Sequence, residues 1–83
     1  MFVLNQERER AVNIDLCNVE YLKVRNKTLY VRLKGSEFEE ELGNFNNDDQ
    51  AKAEMYRLIK CLSDGHKMFI VSNPKYIVNL EEN

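Results

Sequence analysis

The sequence predicts a two-layer α+β domain, an antiparallel sheet of about four to five strands with one helix packed on one face, in the order ββββαβ. Three observations carry this expectation: β-rich runs in which apolar and polar residues alternate, short turn signals between those runs, and one apolar stripe with the period of a helix. A single helix covers one face of such a sheet and leaves the other to solvent or to a partner.

Residues 2 to 4 are apolar and run into the polar stretch Asn5 to Arg10, a short strand entering a loop. In Ala11 to Leu16, Val12, Ile14 and Leu16 point one way and Asn13 and Asp15 the other, which predicts a second half-buried strand. From Val19 to Lys34 two β-rich runs flank Asn26-Lys27, whose leading Asn suits a tight two-residue turn, and Gly35-Ser36 fits a second turn of the same kind.

These turns set a register. Val24 faces Leu29, Leu22 faces Val31 and Glu20 faces Leu33, while Leu33 faces Phe38, Val31 faces Glu40 and Leu29 faces Leu42. One face then carries Leu22, Val24, Leu29, Val31, Leu33, Phe38 and Leu42, the core side. The other sets Tyr21 and Glu39 beside Arg32, Lys23 and Glu41 beside Tyr30, and Glu37 beside Lys34. Glu20 and Glu40 are misfits that this register turns inward, unless a bulge or an early strand end relieves them.

Ala51, Met55, Leu58, Ile59 and Leu62 recur at i, i+4, i+7, i+8 and i+11, which predicts a helix over residues 48–63. Asn47 caps it, Asp48 and Asp49 suit its positive end, and Gly65 terminates it. Lys67 to Ser72 has the continuous apolar character of a strand covered on both faces, and Asn73-Pro74 breaks it. Lys75 to Leu80 fits a last strand, a helical turn or an arm to a neighbour.

Composition bounds the function. The chain has 83 residues, 43% of them apolar and 31% charged, enough for one core and too apolar for disorder, so residues 1–83 are read as one domain. The longest apolar run, Met68 to Val71, is far short of the roughly 20 residues of a membrane span. The N-terminus reaches charge before a signal-peptide core can form, so the expected compartment is the cytoplasm, with Cys17 and Cys61 as reduced thiols.

No catalytic residue, metal ligand or cofactor is assigned. Cys61 precedes the only histidine, His66, at a helix end where the dipole raises a thiol pKa, and Cys17, Cys61 and His66 lack the paired spacing of a zinc site. The run Glu37 to Glu41 alternates outward opposite basic residues and reads as a solvated face. The three glycines are isolated and form no phosphate loop. An enzyme is not expected.

Charge segregation is the chief oddity. Residues 21 to 34 hold Lys23, Arg25, Lys27, Arg32 and Lys34 without an acid, interleaved with Tyr21 and Tyr30. Tyr21, Lys23, Arg25, Tyr30, Arg32 and Lys34 are therefore the candidate partner-binding residues. Basic groups beside aromatic rings suit a nucleic acid or nucleotide, the alternative reading. Cross-strand pairing with the glutamates and a net charge of −2 weigh against it.

Two stretches carry a resemblance. Phe2-Val3-Leu4-Asn5-Gln6 with Ala11-Val12-Asn13-Ile14-Asp15, and Leu42-Gly43-Asn44-Phe45 leading to Ala51-Lys52, resemble small uncharacterised proteins of Firmicutes and their phages, with a Leu-Gly-x-aromatic step before an acidic helix start. The long acidic run at 37 to 41 and the Asn-rich loop at 44 to 47 depart from that pattern. The resemblance implies a phage or prophage accessory gene acting inside a bacterial host cell, and it carries over no active-site residue. The expectation is a non-enzymatic protein that binds another protein, a host or host-defence component it could inhibit, with a homodimer as a further option.

Overall fold

The computed structural model describes residues 1–73. Its order is β1 (Phe2–Leu4), β2 (Ala11–Asn13), β3 (Val19–Arg25), β4 (Thr28–Leu33), β5 (Glu40–Asn44), α1 (Asp48–Ser63) and β6 (Met68–Ile70). The fold is α+β, but its strands form two three-stranded sheets rather than one sheet of four to five. One has the order β2-β1-β6 and the other β3-β4-β5. The first is mixed, because β1 pairs antiparallel with β2 and parallel with β6. That parallel pair joins the first and last described strands across all the intervening elements, from β2 to α1, a partnership that local alternation cannot reveal. The stretch Lys75 to Leu80 lies outside the described residues.

The hairpin of β3 and β4 forms as its residues dictate. Asn26 and Lys27 have φ of 51° and 66°, the left-handed pair that a turn matched to sheet twist requires. Lys27 is not a residue that favours this region, and its backbone is held from both sides. Its N–H donates to Asp48 Oδ1 at 2.7 Å and its carbonyl accepts from Phe45 N at 2.8 Å. Leu22 pairs with Val31 and Val24 with Leu29, as the turn predicts. Between Val19 and Tyr21 the register shifts, so Val19 rather than Glu20 faces Leu33. The bulge spares Glu20 from the core, and the carboxylate stands 3.5 Å from Arg32 Nε.

The second hairpin differs from expectation. β4 ends at Leu33 and β5 begins at Glu40, so residues 34–39 form a loop and not a two-residue turn. Phe38 consequently leaves the core and is 76% exposed. Val31 does pair with Glu40 and Tyr30 with Glu41, but a second shift sets Leu29 opposite Gly43 in place of Leu42. Leu42 is the extra residue and is fully buried. Glu40, on the core-facing parity, is matched by Arg10 from the β1–β2 loop at 2.6 Å.

Two further corrections concern strands. β2 stops at Asn13, so Val12 and Ile14 are buried while Leu16 is exposed. β6 is covered on one face only: Phe69 is buried and Met68 and Ile70 are exposed. The helix has the predicted span, with Asn47 Oδ1 accepting from Gln50 N at 2.8 Å and Gly65 beyond its end at φ 78°. Its inner face is Ala51, Glu54, Leu58 and Leu62, with Ile59 turned outward. The core runs from Val3, Val12 and Phe69 of the first sheet, with Ile14 just past β2, to Leu29, Val31 and Leu42 of the second, with Leu58 and Leu62 between.

Gln6 and Gly43 join the sheets. Buried Gln6 donates from Nε2 to Asn44 O at 2.7 Å and to Ser72 O at 3.0 Å, and accepts from Asn44 N at 2.8 Å. Its side chain thus acts as a short extra strand against β5, satisfying backbone groups that burial would otherwise strand. A Cβ at Gly43 would stand 3.0 Å from Val71 Cγ1 and 3.2 Å from Gln6 Cβ. Only glycine leaves room for this approach.

Candidate functional site

On β3 and β4, residues alternate between the two sides of the sheet. Leu22, Val24, Leu29 and Val31 pack toward the core, with α1 against them. Tyr21, Lys23, Arg25, Tyr30 and Arg32 occupy the opposite side, away from α1. Five of the six sequence-predicted binding residues are therefore together on one open face, with Lys34 beyond the end of β4.

Glu39 organises the cluster of Tyr21, Lys23, Arg25 and Tyr30 on this face. Carried in by the 34–39 loop, its carboxylate accepts a hydrogen bond from Tyr21 OH and pairs with Lys23 Nζ at 2.7 Å and Arg25 at 3.5 Å. Lys23 Nζ stands 5.8 Å from the Tyr21 ring centroid and 6.0 Å from that of Tyr30, and Arg25 lies 5.2 Å from the Tyr30 ring. Each cation therefore meets both a π face and the shared carboxylate. The hydrogen bonds from Lys23 and Tyr21, with the nearby charges of Lys23 and Arg25, hold the Glu39 carboxyl below the ordinary carboxylate range.

Arg32 and Lys34 stand apart from this cluster. Arg32 is paired with Glu20, without a hydrogen bond at Nε, and not with Glu39. Lys34 lies past the end of β4, exposed, and the expected Lys34–Glu37 strand pair is not formed because both residues belong to the loop. The sequence placed Glu39 on the correct face but opposite the wrong cation. A six-residue loop lets it slide along β3 to Lys23 and Arg25.

Sequence reasoning missed a second polar cluster. Glu54 sits in the apolar stripe of α1, where its buried carboxylate receives Arg57 Nε at 3.0 Å and Arg57 Nη2 at 2.9 Å. It also accepts Ser72 N at 2.5 Å, while the same guanidinium donates to Ile70 O at 3.0 Å and lies 4.3 Å from the Phe69 ring centroid. Hydrogen bonding to Glu54 raises the Arg57 pKa against the opposing effect of burial. The i, i+3 spacing of Glu54 and Arg57 was the available signal. The pair ties α1 to β6 and covers part of that strand's free edge.

The thiols and the histidine do not assemble into a metal centre. Cys17 and His66 line one shallow groove with Phe2 and Leu16, while Cys61 is half-buried under the core. Among the described residues no three His, Cys, Asp or Glu side chains are grouped to hold a metal ion, and no helix is long and apolar enough to cross a membrane. Compared with protein-family models, curated proteins and solved structures, the chain matches none at a significant level.

Proposed function

We propose that this chain is a non-enzymatic accessory protein of phage type, acting in the cytoplasm of a bacterial host by docking another protein on the outer face of β3 and β4. The observation that carries the reading is the set of Tyr21, Lys23, Arg25 and Tyr30 on the sheet side opposite α1. Tyr21, hydrogen-bonded to Glu39, and Tyr30, with Lys23 and Arg25 against its ring, are suitable interface anchors, because these contacts leave little rotamer freedom to be lost on binding. The phage setting rests on the resemblance of the 2–15 and 42–52 stretches.

The nucleic-acid alternative is weakened by Glu39. A phosphate would have to displace a carboxylate that already satisfies Lys23 and Arg25. The decisive experiment compares the full chain with a Tyr21→Ser, Tyr30→Ser variant as bait in host lysate at moderate salt. A partner bound by the first and lost by the second, with identical circular dichroism, is the expected result. Equal capture by both folded proteins would remove this face as the site. Bound material that is nucleic acid, released by modest salt, would replace the reading with its alternative.

A further inference from the structure

The sheet of β3, β4 and β5 ends in two edges that differ in kind. At β5, Gln6 takes up the outward groups: its N–H donates to Leu42 O, its Nε2 donates to Asn44 O and its Oε1 accepts from Asn44 N. β3 is the other edge and, at seven residues, the longest described strand. Among the described residues no strand pairs with its outer side. The hairpin turn fixes which groups point there. Arg25 and Thr28 close a two-residue turn, so Tyr21, Lys23 and Arg25 bond toward β4 while Leu22 and Val24 turn their N–H and C=O outward. Two donors and two acceptors stand in a row, a template for a further strand.

We propose that β3 takes up an extended acidic strand of the partner protein, whose backbone bonds to Leu22 and Val24 and whose carboxylates face Arg25 and Lys23. This rests on the protein-docking reading of the same sheet and specifies how the partner is held. Both sides of β3 favour such an occupant. Toward the core, Leu29 and Val31 of β4 are fully buried, whereas Leu22 and Val24 of β3 are only half-buried. α1 lies on that side, so apolar residues of an added strand would cover the remainder beside the helix. On the outer side, Lys23 and Arg25 share the single carboxylate of Glu39, which leaves one positive charge over. Arg25 is the looser of the two, 3.5 Å from Glu39 with its side chain 56% exposed against 34% for Lys23. A carboxylate on the neighbouring strand would stand beside it as an opposite-charge cross-strand pair.

Charge disfavours a second copy of this chain as the occupant. Antiparallel self-pairing through Leu22 and Val24 sets Lys23 opposite Tyr21, Lys23 or Arg25 of the other copy, according to register. Each register crowds two copies of Lys23 and Arg25 around two copies of Glu39, and basic residues on an edge act against the pairing of like strands. An acidic strand meets no such repulsion. The same cations that deter self-association therefore select the partner.

The test follows backbone amide exchange by nuclear magnetic resonance in the full chain with two synthetic probes. One is acetyl-Thr-Val-Asp-Val-Glu-Val-Thr-amide, and the other replaces both acids with lysine. The acidic peptide is expected to slow exchange at Leu22 and Val24 several-fold and to leave Lys23, already bonded toward β4, unchanged. The lysine peptide should alter none of the three. Val24→Pro removes one outward donor and no ladder bond, so it should end the protection. Arg25→Glu keeps every backbone group and reverses the charge left over, so it should transfer the protection to the lysine peptide. No protection at Leu22 and Val24 with millimolar acidic peptide would overturn the proposal, as would equal protection by both peptides or a preference unmoved by Arg25→Glu. Protection already present in the free chain and rising with its own concentration would give the edge to a second copy. Shifts of the Tyr21 and Tyr30 rings without protection at the edge would overturn strand addition alone and leave the sheet face as the docking site. Failure of the docking reading shows separately, as equal capture of a lysate partner by the tyrosine variant.

Discussion

Gly43 shows how one missing side chain shapes the molecule. Its φ is not in the left-handed region, so an alanine there would meet no backbone penalty. The obstacle is steric. The new methyl would press on Val71 Cγ1 and on Gln6 Cβ, and Gln6 cannot withdraw without giving up hydrogen bonds to Asn44 and Ser72. Gly43→Ala is therefore expected to cost about 1–3 kcal/mol, the usual range for overpacking a close contact. Urea denaturation of the two proteins measures it. A loss below about 0.3 kcal/mol would mean that the sheets separate freely at this point, and that Gln6 is not a fixed link.

At the scale of elements, α1 is held by two different kinds of contact. Leu58 is fully buried between the sheets, and Leu58→Ala is expected to cost about 2–5 kcal/mol in chemical denaturation. Glu54 and Arg57 behave asymmetrically. The Glu54 side chain is 7% exposed while that of Arg57 is 49% exposed, so losing the arginine strands a buried carboxylate, whereas losing the acid leaves a cation that reaches water. Arg57→Ala should thus cost about 2–4 kcal/mol, discounted from a fully buried pair because Ser72 remains a donor. Glu54→Gln, which keeps an oxygen for Ser72 N, should cost about 1 kcal/mol. Equal losses would show that the pair acts only through packing. The helix itself was legible in the sequence, since its stripe, cap and terminator are local signals. So was the β3–β4 register from the turn out to the Tyr21–Arg32 pair, because a two-residue turn leaves no freedom there, whereas the bulge before Tyr21 moved Val19 opposite Leu33 in place of Glu20. What escaped was non-local: the parallel partnership of β1 and β6 and the burial of Glu54. Each depends on segments far apart in the chain. The slide of Glu39 along a six-residue loop escaped for a related reason, because alternation cannot count residues that are not in a strand.

For the whole molecule, the question is whether its basic hairpin is an attractant for phosphate or a balanced surface. Lys23 and Arg25 share one carboxylate, and the net charge of −2 supplies no broad positive field to add to them. Because the folded Glu39 carboxyl titrates below its ordinary value of 4.5, its stabilising contribution is complete above that value. It is lost only as pH falls through the lower, folded value. Neutralisation therefore holds across the physiological range. Glu39→Gln removes the charge while keeping an acceptor for Tyr21, so the hairpin should stay folded with two cations released. That variant is expected to bind a fluorescent oligothymidylate. With two added phosphate contacts on a single strand, its affinity should fall about sevenfold between roughly 50 and 200 mM salt. The native chain should show little binding at either concentration. Anisotropy titrations of both proteins decide the matter. If Glu39→Gln binds no better than the native chain, the carboxylate is not what restrains Lys23 and Arg25. If the native chain already binds with that salt dependence, the basic hairpin is itself the phosphate site, and the protein-docking reading of this face gives way.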